Sequence, residues 1–382
     1  ISVYYCKTIS VKNPNLKMII GYPLKYQKIF ADIKNKIKSG YFKANQVLPS
    51  ENELSEKYNV SRYSVRKAYD ILEEQGYIYA EHGKGRFLSE QMIHLKKSKN
   101  IAVITTYIAD YIFPHIIEGI DDFFSEKQFH LVLKSTHNIR KKEVACLEEI
   151  LRNDFEGIII EPSKSQIYCH HKNLYEQFDK YNIPYVFIQG IYKQLPNAPY
   201  VVADDLGGSY LLTEYLIKQN HKKIVGIFKF DDYQGQERHK GYAKALQDYG
   251  LLYDPELVVW FSTEDYKIQP YKEIENLLRK YKDIDGVVCY SDRVATKVIE
   301  TAEKINLSVP DDISVTGFDD AEIAKNYKIR LTTITHPLNK LGEKAAELLF
   351  KLMQGETKLS DEQKHILIKS ELVIGKSTKR RS

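Results

Sequence analysis

Between residues 101 and 317 the chain keeps returning to one unit, a short apolar run without polar alternation followed by an amphipathic helical segment. The runs are Ile101 to Thr105, His130 to Lys134, Gly157 to Ile160, Tyr185 to Ile188, Ile224 to Phe228, Gly286 to Cys289 and Ile313 to Gly317. Helical spacing falls between them, at Ile116 to Phe124, Glu143 to Leu151, Leu206 to Ile217, Gly241 to Tyr249, Ile274 to Tyr281 and Val294 to Lys304. A strand covered on one face alternates apolar with polar residues, so strands that stay apolar are covered on both faces. With helices between them they predict parallel sheets of the doubly wound α/β kind. Residues 100–375 exceed one comfortable sheet, and two lobes with a cleft between them are expected.

The first hundred residues follow another pattern. Residues 1–21 show no period and begin with Ile rather than Met, so they read as a flexible extension or as sequence upstream of the natural start. Tyr26, Ile29, Phe30, Ile33 and Ile37 then recur at helical spacing, with Gly40 as the stop. After Pro49, Ser50-Glu51-Asn52-Glu53 forms a capping box that opens a second helix running to about Tyr58. Ser61 caps a third helix, whose face Val65, Ala68, Tyr69 and Leu72 runs to Gly76. Tyr77 to Ala80 and Arg86 to Leu88 flank the glycine turn His82-Gly83-Lys84-Gly85 and predict a two-stranded wing. The element order over residues 22–90 is that of a winged helix-turn-helix. The lysine-rich stretch 91–99 reads as a linker, and residues 376–382 as a basic tail.

Composition narrows the function. A hydrophobic share of 43% over 382 residues supports more than one core. No run of about 18 apolar residues occurs, and lysines interrupt the first twenty residues, so neither a membrane span nor a signal peptide is expected and the protein reads as cytoplasmic. Cys6, Cys146, Cys169 and Cys289 are scattered, as in a reducing compartment. Cys169-His170-His171 lacks a second cluster, and no metal and no cofactor are assigned. The net charge of +5 is a weak hint of an acidic partner, equally explained by solubility; the lysines before residue 100 are the more useful sign. The chain has no Gly-x-Ser-x-Gly elbow, phosphate-binding glycine loop or zinc motif, which counts against an enzyme. A sugar-acting hydrolase using paired acids such as Asp319 and Asp320, and a transport-associated sugar-binding protein, are the rival readings.

In a helix-turn-helix the second helix of the unit enters the major groove by its N-terminal end. Here that end carries Ser61, Arg62, Tyr63, Ser64 and Arg66, and the two arginines, four apart, share a face suited to bidentate pairing with guanine or phosphate. The strings Leu48 to Leu54, Val60 to Ala68, Gln75 to Ile78 and His82 to Gly85 resemble the DNA-binding domain of the GntR family. The resemblance covers residues 22–90. It implies DNA contacts from Lys25, Arg62, Arg66, His82, Gly83 and Lys84, with Ser61 and Ser64 as phosphate donors. Ser50 and Glu51 are candidates too, although capping alone explains them.

Gly317-Phe318-Asp319-Asp320, Leu331-Thr332-Thr333-Ile334, Ser291-Asp292 and Asp204-Asp205-Leu206-Gly207-Gly208 resemble the effector domain of the LacI/GalR family, itself similar to periplasmic sugar-binding proteins. The helix-turn-helix and hinge helix with which LacI-type regulators begin are missing. A GntR-type head on a LacI-type body is the layout of the arabinose-repressor family, which the strings Thr105 to Pro114, Glu161 to Ser165 and Phe228 to Gly235 also resemble. The resemblance implies a homodimer that binds a palindromic operator and is released by a small sugar, L-arabinose first. Another pentose, a hexose, a phosphosugar or a purine remains the alternative effector.

A sugar site needs aromatic faces for the ring and charged or amide groups for its hydroxyls. Such groups follow successive strands, where ligands sit in open parallel sheets. They are Tyr107 and Tyr111 after the first strand, Glu161 after the third, Lys229, Gln234 and Arg238 after that at 224–228, Asp292 after 286–289, then Asp319 and His336.

Overall fold

A computed structural model describes residues 25–38, 41–43, 45–89, 99–109, 111–356 and 358–382. The expected extension at 1–21, the helix stop at Gly40, nearly all of the 91–99 linker and Asp110 lie outside the described residues. The chain divides into two units, Ile1–Lys96 and Lys97–Ser382.

In the first unit, helix α1 spans Lys25–Lys38, α2 Glu51–Tyr58 and α3 Arg62–Glu74, followed by the antiparallel strands β1 (Ile78–Glu81) and β2 (Gly85–Leu88). The apolar stripes converge: Ile29, Phe30 and Ile33 of α1, Leu54 of α2, and Val65, Ala68, Tyr69 and Leu72 of α3 are all buried. Both predicted caps form. Ser50 and Glu53 make the reciprocal capping box, and Ser61 accepts the Ser64 amide at 3.3 Å. Asn59 ends α2 in the left-handed region, and Gly83, at φ +74°, turns the wing where a side chain would be strained.

The second unit begins with β3 (Asn100–Thr105), α4 (Phe113–Ser125), β4 (His130–Ser135), α5 (Arg140–Arg152), β5 (Gly157–Ile160), α6 (Lys172–Lys180), β6 (Tyr185–Ile188) and β7 (Tyr200–Ala203). The second lobe follows with α7 (Asp205–Lys218), β8 (Ile224–Lys229), α8 (Tyr233–Asp248), β9 (Val258–Phe261), α9 (Gln269–Lys280), β10 (Gly286–Cys289), α10 (Asp292–Lys304), β11 (Ser314–Thr316) and α11 (Glu322–Asn326). The chain closes with β12 (Thr333–Ile334), α12 (Leu338–Met353), α13 (Asp361–Lys364), β13 (His365–Ile368) and β14 (Leu372–Val373).

The two predicted sheets are present and wholly parallel. One runs β13-β7-β6-β5-β3-β4, the other β11-β10-β8-β9. Burial on both faces explains the unbroken apolar runs. Ile101 and Val103 face α4 and α12, while Ala102 and Ile104 face α5 and α6. In the second lobe Val225 and Ile227 face α9 and α10, and Ile224 and Phe228 face α7 and α8.

Helix α12 and strand β13 belong to the first lobe although most of the second lobe precedes them. Glycines allow α12 to touch α4 backbone to backbone: a Cβ on Gly342 would lie 2.1 Å from the Ile116 carbonyl, and one on Gly119 2.1 Å from that of Asn339. The chain therefore crosses between lobes after β7, before α12 and after β13, and the antiparallel pair β12 and β14 lies at these crossings. The expected basic tail keeps Lys376, Lys379 and Arg380 exposed but is anchored. Residues 376–382 are packed into the second lobe, where the Ser377 hydroxyl donates to the Val315 carbonyl at 2.6 Å and Arg381 donates to the carbonyls of Asp311 and Asp285.

Candidate functional site

In the first unit the sequence-predicted residues gather at α2, the N-terminal turn of α3 and the wing. A cavity of about 450 Å³ is lined by Ser50, Glu51, Glu53, Arg62, Arg66 and Lys84 together with Arg86. Glu51 is its organiser. Its carboxylate accepts a bidentate pair from Arg66, Nε at 3.2 Å and Nη2 at 3.0 Å, and a third bond from Arg86 Nη1 at 3.0 Å. The two guanidinium groups hold its pKa below the ordinary carboxylate value. Arg66 is thus held by α2, whereas Arg62 is exposed. Ser50 and Ser61 are spent on caps, and Ser64 shares a 3.0 Å contact with the Ser61 hydroxyl. Lys25 stands exposed at the start of α1; at the wing tip His82 and Gly83 are exposed and Lys84 pairs with Glu81 at 3.1 Å. Arg86, to which the sequence reading gave no role, stacks on Tyr69 besides holding Glu51.

In the second unit the strand ends of both lobes supply a buried polar cluster. Arg238, on α8, is its centre and only 2% exposed. Its Nε donates to Asp205 at 2.8 Å, its Nη1 to the Tyr290 carbonyl, and its Nη2 lies 3.5 Å from Asp319. The guanidinium carbon sits 3.6 Å from the centre of the Phe318 ring, a cation–π contact in a water-poor setting. Asp319 accepts from the Tyr111 hydroxyl and faces His336 Nδ1 at 3.1 Å, while His336 Nε2 reaches Gln189 at 3.1 Å. Asp319 belongs to the second lobe; Tyr111 and Gln189 belong to the first. This cluster therefore bridges the cleft.

A second group flanks it. Lys229 pairs with Asp232 at 2.9 Å and lies 3.5 Å from Asp231, and the Tyr290 hydroxyl donates to Asp232 at 2.9 Å. Glu161 accepts the Thr106 amide at 2.7 Å, and burial pushes its carboxyl up to about 7. Gln234 is buried on the first turn of α8. Among the described residues, Asp205 Oδ2, Asp231 Oδ1, Gln234 Nε2 and Arg238 Nη2 are buried without a hydrogen-bond partner. Of these, Asp231 Oδ1 and Arg238 Nη2 still lie within ion-pair distance, 3.5 Å, of Lys229 and Asp319; buried polar atoms without a hydrogen bond cost free energy.

Two of the expected contacts sit differently. Asp292 is fully buried with both oxygens engaged, Oδ1 by Thr333 at 2.6 Å and Oδ2 by the Ala321 amide at 2.8 Å, so it fixes the turn that presents Asp319. Burial and the nearby Asp319 raise its pKa well above the usual carboxylate value. Tyr107 packs edge-on to His137 and against the first-lobe core. Asp205, Gln189 and Phe318 were missed as site residues. An acid at a helix start reads as a cap, Gln189 gains a role only through His336, and Phe318 only through Arg238. The Cys169-His170-His171 string is likewise explained, since His171 Nε2 is bound to the buried Glu143 at 2.8 Å.

The bacterial regulatory gntR family model matches residues 25–88, and the periplasmic binding protein-like domain model residues 213–378. An arabinose metabolism transcriptional repressor of Halalkalibacterium halodurans is 37% identical over 366 residues, covering 93% of this chain and 96% of the relative. Its namesake in Geobacillus stearothermophilus is 36% identical over 362 residues, covering 93% and 98%. The chain belongs to this repressor family. Among solved structures, a complex of the transcriptional regulator CelR with cellobiose matches at TM-score 0.66 and 21% identity, covering 94% of this chain and all of that one, which bears on the fold alone. The transcription regulator CcpA of Lactococcus lactis matches at TM-score 0.64 and 27% identity, covering 73% and 99%. The repressor is accordingly a sugar-responsive, DNA-binding regulator rather than an enzyme. Among its described residues no helix is long and apolar enough to cross a membrane.

Proposed function

We propose that this repressor is a cytoplasmic homodimer that holds a palindromic operator through two winged heads and releases it when L-arabinose occupies the cleft. The observation that carries the reading is the set of buried atoms without a hydrogen bond on Asp205, Asp231, Gln234 and Arg238. Their surroundings favour a neutral, hydroxyl-rich ligand. Even with Glu161, Asp205 and Asp292 set aside because burial raises them towards the neutral acid, Asp231, Asp232 and Asp319 outnumber Lys229 and Arg238, which disfavours a phosphosugar. The names of the two curated relatives support arabinose among neutral sugars. Arg62, Arg66, Lys84 and the wing tip are the DNA contacts, with Glu51 orienting Arg66.

Linkage sets the mechanism. A sugar lowers operator affinity only by binding better to a form that fits DNA poorly, and operator must then weaken sugar binding by the same factor. Closure of the lobes about the three crossings supplies two such forms, and a changed head spacing forfeits simultaneous engagement of both half-sites. Calorimetry with arabinose, xylose, ribose and galactose, beside operator titrations with and without each sugar, tests this. Heat and operator release with arabinose are expected. No heat with arabinose, or unchanged operator affinity in its presence, overturns the reading.

A further inference from the structure

At the rim of the cleft, apart from the cluster around Arg238, the two lobes are joined by a second set of bonds centred on Asn138. This residue is 2% exposed, on the loop between β4 and α5, at φ +55°. Its side chain faces both ways. Oδ1 accepts the Lys164 amide of its own lobe at 2.7 Å, and Nδ2 donates to Thr263 Oγ1 of the other lobe at 2.6 Å. Thr263 in turn donates its hydroxyl to Asp231 at 2.8 Å and its amide to the same oxygen at 3.1 Å. Beside this link Lys164 Nζ pairs with Glu264, and Ser165 Oγ accepts the Tyr233 amide at 2.8 Å.

The first-lobe side of this contact is held from behind by the opening turn of α5. Arg140 donates to the carbonyls of Lys164, Ile167 and Tyr168. Glu143, fully buried, accepts the Ser163 amide at 2.6 Å and is itself bound by His171. A loop braced this way is a fixed surface. Its polar atoms lose their partners together when the lobes part.

We propose that Asn138 is a positioning residue for the sugar response: it locks the Lys164–Ser165 segment onto Thr263–Glu264 and so sets how firmly the lobes stay closed, without touching the sugar. This rests on the closure mechanism proposed above. Because the latch favours the closed form whatever sugar is inside, it tunes the concentration needed for release and leaves the ranking of sugars alone.

The test uses the full chain, Asn138→Ala, Thr263→Val and the double variant. Without any sugar, hydrogen exchange is expected to quicken at the amides of Tyr233 and Thr263, both in the lobe opposite Asn138. With sugar, each single variant is expected to weaken arabinose binding about five- to tenfold, as loss of one interlobe hydrogen bond allows, with the arabinose-to-xylose affinity ratio unchanged. The double variant is expected to lose less than the sum of the two single losses, since the interlobe bond is common to both, while Asn138→Ala also frees the Lys164 amide and Thr263→Val also removes a hydroxyl donor to Asp231. Unchanged exchange at Tyr233 and Thr263, additive losses, or an altered affinity ratio overturns the latch. Quickened exchange in a protein whose wild type gives no heat with arabinose keeps the latch and removes arabinose as effector.

Discussion

Replacing Glu161 by glutamine should change how stability depends on pH. The carboxyl of the half-buried Glu161 accepts the Thr106 amide, and loss of water around it raises it from an ordinary 4.5 to about 7. Below the lower value it is protonated in folded and unfolded chains alike, and its full contribution is present. As pH rises towards 7 the unfolded chain ionises while the folded one does not, so stability is progressively lost and the loss is complete above the folded value. The whole gap corresponds to about 3 kcal/mol, of which about 2 to 3 kcal/mol falls between about pH 5 and about pH 8. Glu161→Gln carries no such proton. Urea unfolding of wild type and variant at both pH values, followed through the transition of the effector unit, gives the difference directly. The variant should gain on the wild type by that amount at the higher pH. Equal pH slopes in the two proteins would refute the argument, because the buried carboxyl would then ionise as freely as an exposed one.

Arg62→Ala should weaken operator binding by roughly 1 to 3 kcal/mol while calorimetric sugar affinity is unchanged, because the guanidinium is exposed on the DNA-entering turn; normal operator affinity would remove α3 as the reading helix. Asp319→Ala should leave a repressor that still binds operator but no longer releases it with arabinose, since Asp319 joins Tyr111, His336 and Arg238 across the cleft; intact release in an operator titration would contradict that role. Gly342→Ala should lower the unfolding temperature of the effector unit, at a cost of about 1 to 3 kcal/mol or more, since the added methyl meets the Ile116 carbonyl at 2.1 Å; an unchanged melt would show that α4 and α12 separate freely.

The parts legible in the sequence are those that depend on local pattern. Capping boxes, glycine turns and unbroken apolar runs are decided within a few residues, and the winged head and both parallel sheets follow from them. Strands β7 and β9 went unread although Tyr-Val-Val-Ala and Val-Val-Trp-Phe are as long and as apolar as the runs of β5, β6 and β10, and β13 because His-Ile-Leu-Ile is half exposed at a sheet edge. The site divides the same way. Arg238 and Asp319 are placed by strand ends and helix starts, whereas Gln189 matters only through His336, 147 positions away, and Arg86 only through Glu51. Lysine and arginine density at the end of the chain reads only as a basic tail. It misses Arg381, whose guanidinium finds backbone carbonyls rather than water.

The borrowed helix and strand of the first lobe also order events during synthesis. The winged head is continuous and is complete once residue 88 has left the ribosome. The first lobe is not: β7 has an unpaired edge, and α4 lacks the helix that packs against it, until residues 338–368 emerge. Domains fold as units in order of emergence, so the nascent chain carries a finished DNA-binding head while the half that answers to sugar still exposes apolar surface and an open strand edge. A message cut short before residue 338 would therefore yield a head without a working sensor, attached to a body of the unfinished kind that chaperones and proteases act on.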